Sequence, residues 1–182
     1  METTPTPETK HPRELVHVPA SVRESRKGLL DRSAAAGIPA MPLLGMLPLR
    51  RLIPQNLHSV LDYKGALTVA GVGLLSGSVA ARTAGLVLGS ADLGVSLLTD
   101  YRLSLWKLIP IEVHEAIDYV WSLSVIAAPF LFGYSRRSRL ATWVHVLVGA
   151  STLAASLFTD YRAQRGVQWG RGRKTDLGPV GG

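Results

Sequence analysis

The chain contains no cysteine, and this absence narrows the chemistry open to it. Disulfide scaffolds, thiolate metal sites and cysteine nucleophiles are all excluded. A glycine-rich phosphate loop and the serine context of a nucleophile elbow are missing as well. The sequence therefore carries no recognisable catalytic motif, and we lean against an enzymatic role.

Charge is absent from long stretches in the middle of the chain. Neither Gly65–Ala81 nor Leu140–Thr159 contains an Asp, Glu, Lys or Arg. Four apolar segments each approach the ~20 residues that a helix needs to cross a ~30 Å hydrocarbon layer. They span about 55–78, 83–100, 110–133 and 140–159. We therefore predict an all-α integral membrane four-helix bundle rather than a soluble globular protein.

Proline and charge gather at the two ends of the chain instead. Residues 1–49 carry seven of the eleven prolines, which interrupt helices and oppose a packed core. We predict that 1–49 is a disordered, Pro-rich tail and that 163–182 is a basic disordered tail. The membrane part then lies between them.

The middle of the chain repeats itself. The segment Arg51–Tyr63 returns as Lys107–Tyr119, 56 residues further along, and Ser96–Arg102 returns 60 residues further along. A duplication of two-helix units predicts two transmembrane hairpins, 50–102 and 103–162. Because each unit crosses the membrane twice, the two copies run in the same sense and are related by a pseudo-twofold axis along the membrane normal.

Cations flank the apolar segments unevenly. Nine lie near helix ends on the side of the two termini and four lie on the opposite side, so the positive-inside rule predicts cytoplasmic termini in a bacterial inner membrane. The basic flanks are expected to contact anionic lipid headgroups. The sequence has no aromatic-interleaved basic stripe of the kind that binds nucleic acid, so we expect no nucleic-acid partner. The nine are Arg50, Arg51, Arg102, Lys107, Arg162, Arg165, Arg171, Arg173 and Lys174, and the four are Arg82, Arg136, Arg137 and Arg139.

The repeat carries a polar set with metal-ligand chemistry. In each copy a His and an Asp are four residues apart, which places them on one helix face, and another Asp ends the returning helix. If all six meet, they form a candidate site for a divalent metal or a proton relay. If they form separate local pairs, they only tie helix ends together. The six are His58, Asp62, Asp100, His114, Asp118 and Asp160.

The four tyrosines that accompany this set have a plainer interpretation. Tyr63, Tyr101, Tyr119 and Tyr161 follow the Asp residues near the predicted helix ends. Tyrosine is enriched at membrane interfaces, where its apolar ring and polar hydroxyl meet two environments. We expect these four to be interfacial anchors.

The second hairpin resembles a known kind of small membrane protein. Trp121–Gly133, followed by Arg139–Gly149, resembles the SPW-repeat type of small bacterial membrane protein, with Ala128-Pro129-Phe130 where that family has a Ser-Pro-Trp-like step. The resemblance implies a two-helix membrane unit that is often duplicated and has no established activity. It therefore implies no catalytic residue.

Three functions remain compatible with these patterns. The first is a non-enzymatic membrane scaffold or interaction protein, which would bind a second copy or another membrane protein. The second is a cation- or proton-handling protein that uses the repeated His and Asp residues. The third is a metal-dependent membrane enzyme.

Overall fold

The structure is a computed structural model that describes residues 29–30 and 37–166. It consists mainly of four helices, which confirms the predicted all-α class. The parts of the predicted tails at 1–28, 31–36 and 167–182 lie outside the described residues. The helices are α1 Gln55–Leu75, α2 Val79–Leu98, α3 Ile111–Leu131 and α4 Arg139–Phe158.

Turn residues account for where the helices begin and end. Pro54 and Pro110 stand directly before α1 and α3 in an extended conformation, where the missing N–H of proline has no helical partner to lose. Ser78 caps α2 by accepting the N–H of Ala81. The first hairpin therefore turns before Val79, so α2 begins four residues earlier than the predicted segment 83–100.

The helices form an antiparallel bundle in which α1 and α3 face each other across the centre. Both pack against α2 and α4. Two glycines at equivalent repeat positions allow the close approach within each hairpin. A Cβ on Gly89 would lie 2.6 Å from the carbonyl oxygen of Ala66, and one on Gly149 would lie 2.7 Å from that of Ser122. Small residues of this kind are what let helix backbones approach in membrane bundles.

Short strands join the ends of the helices at the side of the bundle that holds the start of α1. They are β1 Ile38–Pro39, β2 Ile53–Pro54, β3 Thr159–Asp160 and β4 Arg162–Ala163. β2 pairs in parallel with β3, and a parallel bridge between Thr99 and Ile109 makes the corresponding contact in the middle of the chain. These pairings hold the residues that follow α2 and α4 against the starts of α3 and α1.

Part of the predicted N-terminal tail is not a disordered tail. Within 37–49, β1 pairs antiparallel with β4, and Ala40 is buried while its N–H donates to the carbonyl oxygen of Tyr161 at 2.9 Å. The backbone groups of this segment hydrogen-bond to residues at and after the end of α4. These bonds hold the segment in place despite the prolines at 39, 42 and 48. The segment thereby covers one end of the bundle.

Among the helices in the described part of the chain, only α4 is long and apolar enough to cross a membrane by length and composition. The other three include polar or charged residues that lower their mean hydropathy. In α1 and α3 these residues are mostly turned toward the bundle centre rather than outward. Composition alone therefore leaves membrane insertion of the whole bundle as a prediction.

Candidate metal centre

Four of the six predicted ligands meet at the centre of the bundle. His58 and Asp62 project from one face of α1, and His114 and Asp118 project from one face of α3, which lies opposite. All four side chains are at most 1% exposed. One donor atom from each lies within 4.8 Å of the other three. We call these four residues the His–Asp cluster.

Each imidazole of the cluster lies between the two carboxylates. The Nε2 atom of His58 lies 2.9 Å from Oδ2 of Asp118 and 3.3 Å from Oδ1 of Asp62. The Nε2 atom of His114 lies 3.4 Å from Oδ2 of Asp62 and 3.5 Å from Oδ1 of Asp118. The two carboxylates therefore bridge the two hairpins rather than forming one pair within each hairpin.

The other two predicted ligands are not brought to the cluster. Asp160 pairs with Arg51 at 3.3 Å and with Arg162 at 3.0 Å. Asp100 accepts the backbone N–H of Arg165 at 3.1 Å. Both stand one residue after the threonine that ends a helix, so their side chains point toward the chain that leaves the bundle and tie it down.

Two threonines set the orientation of the histidines. The hydroxyl of Thr159 lies 2.9 Å from Nδ1 of His58, and the hydroxyl of Thr99 lies 2.9 Å from Nδ1 of His114. Each hydroxyl also donates to a carbonyl oxygen one helical turn back. Thr159 donates to that of Ala155 at 2.8 Å, and Thr99 donates to that of Val95 at 2.7 Å. A hydroxyl has one proton, so each threonine oxygen accepts the Nδ1–H of its histidine.

This tautomer has a direct electrostatic consequence. With the proton on Nδ1, a neutral imidazole points the lone pair of Nε2 at the carboxylate oxygens of Asp62 and Asp118. Lone pairs and negative oxygens at 2.9–3.5 Å repel one another unless a cation lies between them. Either a proton on each Nε2 or one divalent metal ion balances the two carboxylates.

The donor set fits a metal ion in kind and in spacing. Two imidazole nitrogens and two carboxylate oxygens suit Zn²⁺, Mn²⁺ or Fe²⁺. Four ligands at ~2.0–2.2 Å from a tetrahedral ion lie about 3.4 Å from one another. The four His-to-Asp separations run from 2.9 to 3.5 Å but involve both oxygens of each carboxylate, and one donor atom from each residue lies within 4.8 Å of the other three. His58, Asp62, His114 and Asp118 would therefore hold one ion after drawing closer around it.

Two tyrosines cover the cluster at the end where the strands lie. The Tyr161 hydroxyl donates to Oδ2 of Asp118 at 2.7 Å, and its ring packs edge-on against His58. Burial, reinforced by the Asp118 carboxylate, raises the pKa of Tyr161 well above its ordinary value, so the phenol remains a donor. Tyr101 packs in the same way against His114. Because both rings are fully buried, the prediction that these two tyrosines are interfacial anchors is wrong.

One half of the cluster is incompletely satisfied. Within the described residues, Oδ2 of Asp62, Nε2 of His114 and the hydroxyl of Tyr101 are buried without a hydrogen-bond partner. The corresponding atoms of the other half, around Asp118 and His58, are hydrogen-bonded. Buried polar atoms without a partner are costly, and an ion between the ligands would engage the first two.

Two further buried carboxylates lie close to the cluster. Asp92 on α2 is 3% exposed and interacts electrostatically with Asp62 and Asp118. Glu115 on α3 is fully buried beside His114 and lies 3.5 Å from the Tyr119 hydroxyl. One oxygen of each has no hydrogen-bond partner among the described residues. The bundle centre is therefore rich in buried carboxyl groups.

Another buried histidine in the described part of the chain belongs to a separate network. His145 accepts the hydroxyl proton of Tyr134 at Nδ1, at 2.7 Å, and its Nε2–H donates to the carbonyl oxygen of Val69 at 3.2 Å. Both ring nitrogens are thus occupied within the protein. This histidine acts as a packed, hydrogen-bonded residue between helices.

Comparison of the chain with models of protein families, with curated proteins and with solved structures finds no match. The resemblance of the second hairpin to the SPW-repeat type stays a prediction.

The sequence pattern missed the roles of Thr99, Thr159 and Tyr161. These residues were visible as parts of the repeated Thr-Asp-Tyr-Arg segment, but the carboxylate of that segment was the obvious ligand candidate. In the structure the threonine and tyrosine on either side of it reach the cluster. The sequence did indicate these three residues, because the whole Thr-Asp-Tyr-Arg segment is repeated and not its Asp alone.

Proposed function

We propose that the protein is an integral membrane protein whose four-helix bundle holds one divalent metal ion in the His–Asp cluster. The observation that carries the proposal is the convergence of two Thr-anchored imidazoles and two carboxylates, with both Nε2 lone pairs facing the carboxylate oxygens. Such an arrangement has a deficit of positive charge at its centre. A single divalent ion would supply the two positive charges that balance the two carboxylates.

The distribution of side chains supports the membrane part of the proposal. Large apolar residues on all four helices face outward, whereas the His and Asp residues of the cluster, Asp92 and Glu115 face inward. This arrangement suits a bundle surrounded by lipid, where ionisable residues turn toward the protein interior. Outward residues that are more than half exposed include Leu67, Leu75, Val87, Val120, Leu123, Leu131, Trp143 and Leu147.

Apolar layers on both sides of the cluster favour a resident ion over a conducted one. Toward the α3–α4 turn, Val69, Trp121 and Val125 form a buried apolar cluster. Toward the strands, Tyr101, Ile111 and Tyr161 form another with Ala40 and Ala163. A path for ions across the bilayer would need polar or hydrated walls along its length. The layers therefore argue against a pore through the bundle centre.

A scaffold is the second candidate, and one distance favours it. The 2.9 Å separation between Nε2 of His58 and Oδ2 of Asp118 is that of an ordinary charge-assisted hydrogen bond. If both histidines carry a second proton, the cluster is a set of buried ion pairs that ties α1 to α3. In that case the protein would act through its surface, with a second copy or another membrane protein as its partner.

Metal analysis distinguishes the two candidates. We expect protein purified from membranes in mild detergent, without chelator, to contain about one Zn, Mn or Fe ion per chain, as a four-ligand site requires. The measurement is elemental analysis against protein concentration, repeated after dialysis with each metal. A metal content near zero under all these conditions would favour the scaffold.

Orientation in the membrane is a separate prediction. Because cations are concentrated at the side of the termini, a reporter fused after Gly182 should lie in the cytoplasm and one inserted at Arg137 should lie outside. Paired reporters that are active in opposite compartments measure this. The reverse pattern would place the His–Asp cluster nearer the outer surface, and reporters in the same compartment would mean that an even number of spans, or none, lies between the two points.

A further inference from the structure

The His–Asp cluster is approached from one side by a groove in the outer surface of the bundle. The groove lies between α1 and α4, has a volume of about 240 Å³ and includes Asp62 in its lining. Gly65 of α1 and Thr152 of α4 line it as well. We call it the α1–α4 groove. It runs along the helices rather than at their ends, so it opens sideways from the bundle.

At the equivalent place in the second hairpin a larger cavity of about 650 Å³ is lined by Val120, Trp121 and Ser124, but no residue of the His–Asp cluster lines it. The repeat aligns Gly65 of α1 with Trp121 of α3. The indole of Trp121 is 5% exposed, donates to the carbonyl oxygen of Leu88 at 2.8 Å, and reaches close to Gly65 itself. One repeat thus has a large side chain where the other has none. The two sides of an otherwise twofold-related site differ in access.

The walls of the groove combine one cation, several hydroxyls and apolar side chains. Lys64 lines the groove, whereas its counterpart in the second hairpin is Val120. Among the described residues, no carboxylate lies within ion-pair distance of Lys64. Ser151 and Thr152 add hydroxyl groups, and Leu61, Leu147 and Val148 make the remainder apolar.

We propose that the α1–α4 groove binds a small amphiphile with an anionic oxygen head group, such as a short-chain carboxylate. This inference rests on the metal site proposed above. A metal ion held by two carboxylates and two neutral imidazoles has no net charge, so an anionic head is not repelled, and Lys64 attracts it. The apolar walls and the sideways opening favour a molecule that arrives through the lipid with its tail outward.

The size of the groove limits the ligand. At ~30 Å³ for a water-sized group, the groove holds about eight non-hydrogen atoms. Hexanoate has that size. Its carboxylate would add a fifth ligand to the ion on the side of Asp62, and its alkyl chain would lie against Leu61 and Leu147.

Cobalt-loaded protein in nanodiscs of neutral phospholipid provides the test. The visible absorption of bound Co²⁺ is titrated with hexanoate, with 1-hexanol as the same tail without charge, and with acetate as the same head without a tail. We expect hexanoate to change the spectrum with saturation, and the other two to need at least about tenfold higher concentration, because each lacks one of the two interactions.

Two pairs of matched variants locate the binding site. Lys64→Met should weaken hexanoate binding about tenfold, whereas Val120→Met, at the equivalent position of the other hairpin, should not change it. Ser151→Trp covers the groove from α4 and should abolish the spectral response, whereas Ala91→Trp, its counterpart on α2, should leave it intact. Cobalt content is measured for all four variants, so a loss of folding is recognised.

The possible failures are distinguishable. If the wild-type protein binds Co²⁺ but hexanoate leaves its spectrum unchanged, the groove proposal is wrong and the metal site stands. The same conclusion follows if Ser151→Trp and Ala91→Trp respond equally to hexanoate. If the wild-type protein binds no Co²⁺, both the metal site and the groove proposal fall.

Discussion

Replacing both cluster histidines, by His58→Gln and His114→Gln, is expected to abolish metal binding while the bundle survives. Structural zinc sites bind with roughly 10–16 kcal/mol, or about 3 kcal/mol for each of four ligands, so losing two corresponds to about a 10⁴-fold weaker affinity. Glutamine keeps a polar side chain that can still hydrogen-bond to the threonines but has little metal affinity. The measurement is metal content per chain, with thermal unfolding recorded with and without chelator.

A buried histidine outside the cluster supplies the control. His145→Gln removes an imidazole of equal burial whose two nitrogens are already bonded to Tyr134 and Val69. We expect this variant to keep its metal and to lose some stability instead. If the double variant holds as much metal as the wild-type protein, the His–Asp cluster is not the site. If chelator leaves the unfolding temperature of the wild-type protein unchanged, no metal stabilises the bundle.

The positions of the helices could be predicted because hydropathy and proline placement are local properties. The apolar segments near 55–78 and 140–159 became α1 and α4 with small changes at the ends. The equivalent helix faces of His58 and His114 were also predictable, since four-residue spacing fixes one helix face and the repeat implies two equivalent faces, but whether the two faces meet was left open. These inferences require no knowledge of how distant segments pack.

The positions of Asp100, Asp160 and residues 37–49 depended on contacts that the spacing of residues along the sequence does not reveal. Asp100 and Asp160 follow helix ends. Whether such a carboxylate turns inward depends on which hydrogen-bond donors and cations the chain leaving the helix presents to it. Here that chain supplies backbone N–H groups and Arg162, which capture both carboxylates. The pairing of β1 with β4 likewise depends on two segments more than 100 residues apart, so proline content alone misassigned residues 37–49.

The positions of the two threonines lead to the second large prediction. Thr99→Val together with Thr159→Val removes the acceptor of each Nδ1–H without changing side-chain shape. The imidazoles then lose the bond that fixes their tautomer and orientation, and loss of such a partner typically weakens metal affinity about 10–100-fold. For the two sites together we expect about 10²–10⁴-fold weaker binding, measured by competition with a chelator of known affinity.

Two comparisons separate this orienting role from a general loss of helix stability. Thr142 makes the same hydroxyl bond to a carbonyl oxygen one turn back, to Ser138 at 2.9 Å, but contacts no histidine of the cluster, so Thr142→Val should leave metal affinity unchanged. Thr99→Ser with Thr159→Ser keeps both hydroxyls and should retain affinity close to that of the wild-type protein. If the valine pair binds metal as tightly as the serine pair, the threonines do not orient the ligands. The two lone pairs would then need another explanation, and the protonated His–Asp pairs of the scaffold would become the better description of the bundle centre.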